Sequence, residues 1–328
     1  MLEKQPKFNL LHLFMVELSV HLITFNNEKH IKETLDSILK QKVDFKFEII
    51  VGDDCSNDNT LKIINTYKEQ YPNLINVTKN KTQLGLLKNF KATLDRCNGK
   101  YIFDIAGDDL LKCTNTLQTM VDALKKDNTL GFIDSGFDLF LETQGKIIPF
   151  ANKKTIYASN ENYKKQLLLG KLTPIGICFN KALLNKFVDF KTYIDMNITI
   201  EDYPILVDLA VNTNFKSITK SLHIYRVHDT SYSHKKTFEQ HYFLLNQMKI
   251  LFDYFSIKYS YCNEVTTNFK KDFNKQLLYL SGYYGKKKTG KKAFITITSK
   301  SIKDYIYFFA SQNNLFKKTA FYLKRKIL

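Results

Sequence analysis

The chain has 328 residues, of which 44% are hydrophobic, and carries a formal net charge of +17. That length holds one large domain or two smaller ones, and the hydrophobic share excludes an intrinsically disordered chain. Its five cysteines, Cys55, Cys97, Cys113, Cys178 and Cys262, are odd in number and show no C-x-x-C spacing. This argues against a disulfide framework and a zinc site, and it favours a reducing cytoplasm.

The first apolar stretch, FNLLHLFMVELSVHLITF, is interrupted by Glu17 and two histidines and is followed by no small-residue cleavage site. It reads as neither a signal peptide nor a membrane span. Met15 directly precedes a strand-like segment, so residues 1–15 read as an N-terminal extension.

LSVHLITF (18–25) predicts a strand, and Ile31, Leu35 and Ile38 in the segment 28–41 then fall at helical spacing. A second strand–helix unit begins at KFEIIVGDD (46–54); its helix aligns Ile63, Ile64 and Tyr67 and stops before Pro72. The third runs from INVTKN through a loop with Gly85 and a helix near LKNFKATLDRC to the strand KYIFDIAGDD. Strands alternating with helices imply a parallel sheet, and such sheets bind ligands beyond their carboxyl ends. Asp53–Asp54 and Asp108–Asp109 both fall at that edge. One acidic pair reads equally as a turn, a helix cap or a cation site. Two pairs closing different strands of one sheet point to a shared polar cleft.

Farther along, GKLTPIGICFNKALL (170–184) reads as a loop and strand. Glu201–Asp202 stands just before Tyr203–Pro204, where proline is tolerated in a first helical turn. Acids at a helix start are common for structural reasons alone. Arg226 and His228 follow in IYRVHDTSYS (224–233). Beyond residue 235, Leu245, Met248, Phe252 and Phe255 are spaced for a helix, and GKKKTGKK and FYLKRKIL come after it.

The charge is concentrated in this last part. Residues 235–328 hold 19 Lys and Arg against 5 Asp and Glu, a net of +14, whereas the first 234 residues net only +3. Aromatics interleaved with lysines suit helices lying on anionic headgroups. Nucleic acid is the competing partner of a basic region, but no helix-turn-helix, RRM or zinc-finger signature accompanies it, so none is expected. A solvated charged surface is the plainest alternative.

LSVHLITFNNEKHIKETLDSILKQ, FEIIVGDDCSNDNT and GKYIFDIAGDDLL, in that order, resemble the opening half of family-two glycosyltransferases of the GT-A fold. The shared features are a strand–Thr–aromatic–Asn start, an Asp-Asp-x-Ser-x-Asp loop and an Asp-Asp metal motif. The match is strong over residues 16–115 and looser to about 234.

The resemblance implies an α/β, GT-A-like fold: a mostly parallel Rossmann-type sheet flanked by helices, followed by a basic, mainly helical region. Residues 16–115 would be the nucleotide-sugar half, 116–234 the acceptor half and 235–328 the basic helices. It places Thr24, Phe25 and Glu28 along the nucleotide pocket, with the Phe25 ring against the base and Asp54 accepting from uracil. Phe25 as core and Asp54 as a cap of the helix near Thr60 are the structural alternatives. Asp108 would meet ribose or metal, and Asp109 would hold Mn²⁺ or Mg²⁺ on the diphosphate. Many relatives carry a further acid where this chain has Ala106, which leaves fewer carboxylates for the ion. Gly85, Lys88 and Asn89 fall where a phosphate meets the next helix. Asp202 falls on the general base, Arg226 near the diphosphate, and His228 on the metal or a phosphate oxygen.

The function so implied is metal-dependent, inverting transfer from a nucleotide sugar, a UDP-sugar, to a growing surface glycan such as lipooligosaccharide or capsule. The enzyme would be cytoplasmic and peripheral on the inner face of the membrane, with a glycan or lipid-linked acceptor. A nucleotidyltransferase on a similar scaffold is one alternative. A non-catalytic basic protein binding membrane or nucleic acid is another.

Overall fold

A computed structural model describes residues 15–149, 159–172, 174–228 and 237–327, with side chains to 321. Residues 1–14 of the expected N-terminal extension and residues 229–233 of the Arg–His stretch lie outside these. The chain divides into two compact units. One runs to His228 without residues 168–171, and the other comprises 168–171 and the chain from 229 onward.

The first unit opens with the expected alternation: β1 (Leu18–Thr24), α1 (Ile31–Leu39), β2 (Phe47–Asp53), α2 (Thr60–Gln70), β3 (Ile75–Lys79), α3 (Leu86–Leu94) and β4 (Tyr101–Ala106). The four strands pair in parallel in the order β3-β2-β1-β4. Every residue of β1 is buried, as befits a central strand covered on both faces. Ile31, Leu35 and Ile38 of α1 pack with Leu18, Val20, Leu22, Ile49 and Val51 in one apolar cluster.

The chain then adds β5 (Leu110–Leu111), α4 (Thr116–Lys125), β6 (Leu130–Leu141), β7 (Lys146–Pro149), α5 (Asn160–Leu168), β8 (Cys178–Asn180), α6 (Lys181–Phe187), α7 (Phe190–Asp195), α8 (Asp202–Asn212) and β9 (Asn214–Val227). The short β8 is wedged antiparallel between β4 and β6. The long β6 and β9 run parallel, while β5 and β7 are antiparallel margins. The sheet is therefore mostly parallel, and the fold is the GT-A α/β arrangement expected.

The second unit is helical: α9 (Phe238–Lys258), α10 (Asn263–Tyr284), α11 (Lys287–Thr296), α12 (Ile302–Gln312) and α13 (Asn314–Ile327). Capping boxes at Thr237/Gln240 and Ser301/Asp304 start α9 and α12. Phe238, Leu277, Leu278, Ala293 and Ile297 form one core cluster. At Gly282 a Cβ would stand 2.7 Å from the Tyr307 carbonyl oxygen, so only glycine lets α12 lie this close to α10. No described helix is long and apolar enough to cross a membrane.

Candidate active site

The loops after β1 and β2 are stitched to each other. The Asn26 N–H donates to Ser56 Oγ (2.9 Å), Asn27 N–H to Thr60 Oγ1 (2.7 Å) and Glu28 N–H to Asp58 Oδ2 (3.1 Å). In return Asn57 N–H donates to Asn26 Oδ1 (2.9 Å) and Asn59 N–H to Glu28 Oε2 (3.0 Å). Asn26 and Cys55 adopt φ of 52° and 65°, left-handed conformations uncommon outside glycine. Most of the Asp-Asp-x-Ser-x-Asp signature thus serves to brace the loop that carries Phe25. The Phe25 ring is 37% exposed, so it is not core. Thr24 is buried, and a Cβ at Gly107 would come within 2.5 Å of its Oγ1. The turn that presents Asp108 therefore requires glycine there.

Asp54 does not cap α2, whose N-cap is Asn59. Its carboxylate accepts from Asn80 Nδ2 (2.9 Å) and from the N–H groups of Leu84 (2.7 Å) and Gly85 (2.9 Å). It thereby orders the loop leading into α3. Gly85 has a φ of 82° with open space around its Cα, so backbone conformation, not crowding, selects glycine. Lys88 is exposed in the first turn of α3. Asn89 is buried and donates to the Gly52 carbonyl (3.0 Å), a bracing contact.

At the end of β4 the acidic pair meets β9. Asp109 is buried, and its Oδ1 accepts the Arg226 N–H (3.0 Å). Burial and then the neighbouring Asp108 push the Asp109 carboxyl well above the ordinary range. A carboxylate in that position gains from a cation, and this fits a divalent ion at the pair. Asp108 Oδ2 lies 2.9 Å from His228 Nε2.

Arg226 departs from the expectation that its fork faces a diphosphate. Its side chain is buried over the Phe140 ring. Nε donates to the Asp108 carbonyl (2.9 Å), Nη1 to Glu142 Oε1 (3.2 Å) and Nη2 to the Glu33 carboxylate. The guanidinium finds its anions within the protein. His30 adds to this group: its Nε2 lies 2.9 Å from Glu142 Oε1, and its ring packs 4.4 Å from that of His228. Chiefly because it is buried, His30 titrates below the usual histidine range, so its neutral, ligating form is favoured. One ligand atom each from His30, Glu142 and His228 lie within 4.8 Å of one another, a donor set chemically suited to a divalent ion. Sequence reading named His228 and missed His30, Glu142 and Glu33.

Asp202 is the first residue of α8, and its Oδ1 accepts the Tyr203 N–H (2.7 Å). Burial raises it above the ordinary aspartate range against the pull of that N–H, and the charge of Asp104 adds to the rise. Glu201 is pushed well up by burial, then by Asp202 and Asp104. Asp104 also acts on Asp109. It stands on β4 two residues before Ala106, hence on the same face as the absent acid. Its Oδ1 lies 2.7 Å from Nδ1 of the fully buried His21, its partner in the β1–β4 register, while His21 Nε2 faces the Phe90 carbonyl at 3.0 Å. A histidine inside an apolar strand, opposite an aspartate, was the signal available for this pair.

Comparison with known proteins agrees with this architecture. Abequosyltransferase RfbV of Salmonella typhimurium is 26% identical over 166 residues, 50% of either chain. The poly(ribitol-phosphate) beta-N-acetylglucosaminyltransferase TarS of Staphylococcus aureus is 35% identical over 103 residues, 30% of this chain and 17% of that one. The chain spans 27% of the length of a Mycobacterium tuberculosis relative that is 37% identical over 92 residues. The crystal structure of TarS 1-349 with UDP-GlcNAc superposes with a TM-score of 0.52 at 18% identity, over 92% of each chain. Mannosyltransferase PcManGT of Pyrobaculum calidifontis, in complex with GDP-Man and Mn²⁺, gives 0.55 at 13% identity, over 94% of this chain and 86% of that one. These two likenesses show the fold. The family model for glycosyl transferase family 2 matches residues 19–189, more than half of the sequence, and the chain belongs to that family.

Proposed function

We propose that the chain is a metal-dependent, inverting glycosyltransferase that moves a sugar from a UDP-sugar to a hydroxyl of a growing surface glycan of the lipooligosaccharide or capsule kind. One observation carries the reading. At the carboxyl edge of the sheet the buried Asp109 accepts the Arg226 N–H (3.0 Å) and Asp108 lies 2.9 Å from His228, which with His30 and Glu142 forms a donor set suited to a divalent ion. The donor bound by PcManGT and TarS supports a nucleotide sugar, and the polymer named for TarS supports a polyhydroxyl acceptor.

In this mechanism Phe25 stacks on the base and Asp54 accepts from its imide N–H, with Thr24, Glu28 and Gly85 shaping the loops around them. Lys88 meets a phosphate at the head of α3. Mn²⁺ or Mg²⁺ held by Asp109 and His228, with His30 and Glu142 in reach, would offset the charge of the diphosphate. Asp108 meets the ribose and fixes His228, and Arg226 positions the acidic turn. Of the pair Glu201–Asp202, Asp202 has the Tyr203 N–H to stabilise its anion, so the negative charge rests there. Asp202 takes the proton of the acceptor hydroxyl as that oxygen attacks the anomeric carbon. The bond from that carbon to the diphosphate oxygen breaks on the opposite face, and the nucleoside diphosphate leaves with the electron pair.

A thermal-shift panel of nucleotide sugars with and without Mn²⁺ tests the reading, because a ligand bound only by the folded state raises the apparent melting temperature. A UDP-sugar is expected to stabilise most, more so with Mn²⁺, and turnover is expected to release UDP. Release of pyrophosphate would instead indicate a nucleotidyltransferase, and no response to any nucleotide sugar would leave a non-catalytic protein.

The pH dependence follows from the same charges. A base must be ionised, so rate falls as pH drops through its pKa, and burial places that limb above the ordinary aspartate range. Asp104→Asn removes a negative charge that opposes ionisation of Asp202, so the acidic limb of kcat/KM is expected to move to lower pH. An unmoved limb in the pH–rate profile would detach Asp104 from the base.

A further inference from the structure

Helix α12 is built with its apolar stripe facing outward. Ile302, Tyr305, Ile306 and Phe309 fall at i, i+3, i+4 and i+7 and are all exposed, Ile302 at 81% and Phe309 at 51%. The opposite face buries Asp304, Ala310 and Ser311. Asp304 is held there by the Ser301 N–H (2.7 Å) and by Lys275 (3.4 Å), so the helix cannot simply be turned over. The stripe continues onto α13, where the Phe316 ring lies 6.1 Å from that of Phe309 and Leu315 is 76% exposed. On the other side Tyr305 touches Phe294 of α11, next to Ile295, which is 69% exposed.

The stretch of chain that carries this hydrocarbon is basic. Residues 285–321 contain nine lysines and one acid, the buried Asp304. Lys287, Lys288, Lys291, Lys292, Lys303 and Lys318 are exposed, and Lys300 lies 4.9 Å over the Phe294 ring. No exposed carboxylate interrupts them within that stretch.

We propose that the α12–α13 face docks on an anionic lipid surface, with Ile302, Phe309 and Leu315 entering the acyl boundary and the lysines reaching lipid phosphates. Charge complementarity selects this occupant. A second copy of the chain would bring lysine against lysine across a two-fold contact. Nucleic acid would satisfy the lysines but leave exposed aliphatic side chains without an apolar partner. The inference is independent of the transfer chemistry, since binding is measured without donor or acceptor.

Flotation of the full chain with vesicles of phosphatidylcholine alone, or mixed equally with phosphatidylglycerol, tests it. Binding is expected to the mixed vesicles, weakened by added salt, and lowered roughly tenfold or more in the doubly substituted Ile302→Asp/Phe309→Asp chain. Ile302→Ser/Phe309→Ser, which adds no charge, is expected to fall in the same direction, and the wild-type melting temperature certifies the fold of both. Three results would overturn the proposal: equal flotation with both vesicle types, undiminished flotation of both variants, or a wild-type dimer in light scattering that these substitutions dissolve. Tighter capture by single-stranded DNA than by vesicles, lost in the same variants, would do so as well.

Discussion

Asp202→Asn is expected to leave UDP-sugar affinity almost intact while lowering turnover by about 10²–10⁴-fold, the usual contribution of a general base. Asparagine keeps the shape of the side chain and an oxygen for the Tyr203 N–H, but it cannot take a proton. The loss should therefore lie in kcat, with little change in the KM of the donor. The acidic limb of the pH profile should disappear with it. A merely structural role makes a different forecast, because asparagine offers the Tyr203 N–H the same oxygen. Near wild-type turnover with saturating acceptor would remove Asp202 from the chemistry and turn attention to Glu201, which burial also pushes up.

Substitution of Asp109 should be still more severe. Asp109→Ala is expected to abolish measurable turnover and the metal dependence of UDP binding, since several kcal/mol of charge stabilisation on the leaving group goes with the ion. Alanine also strips the acceptor from the buried Arg226 N–H, at a cost of about 1–3 kcal/mol in stability. Asp109→Asn separates the two effects. It retains an oxygen for that N–H while removing the charge, so it should melt near the wild-type temperature and still fail to respond to Mn²⁺ in titration calorimetry with UDP. Full activity of the asparagine variant, or of the wild type in excess chelator, would sink the assignment.

The half of the fold that could be read in advance is the half made of local patterns. Ile31, Leu35 and Ile38 announce α1 by their spacing, and Phe47 to Asp53 announce β2 as an apolar run closed by acids. The second half offers no such regularity. β8 has three residues and enters the sheet between strands that precede it in the chain, which no periodicity reports. The candidate site divides in the same way. Asp54, Asp108, Asp109 and Asp202 stand in or beside short motifs, whereas Glu33 looks like any solvent-facing acid of an amphipathic helix until Arg226 reaches it. Glu142 is equally anonymous in sequence: past the end of β6 it meets His30 at the start of α1, and the return of β9 beside β6 adds Arg226. Arg226 itself was legible as a residue of the site but not in its direction, because a fork of donors suits internal carboxylates as well as phosphates.

The reach of Arg226 has a consequence for synthesis. The guanidinium joins Glu33 across 193 residues of chain, and the Asp109 carboxylate waits on an N–H 117 residues downstream. A nascent chain leaving the ribosome can complete its three parallel strand–helix units, with their local contacts, long before that strand exists. During this interval the acidic turn has neither its guanidinium nor its amide. Even the segment matched by the family model, which stops at residue 189, is translated in full before Arg226 emerges. The acidic turn at the sheet edge is thus among the last parts of its unit to gain its full set of contacts.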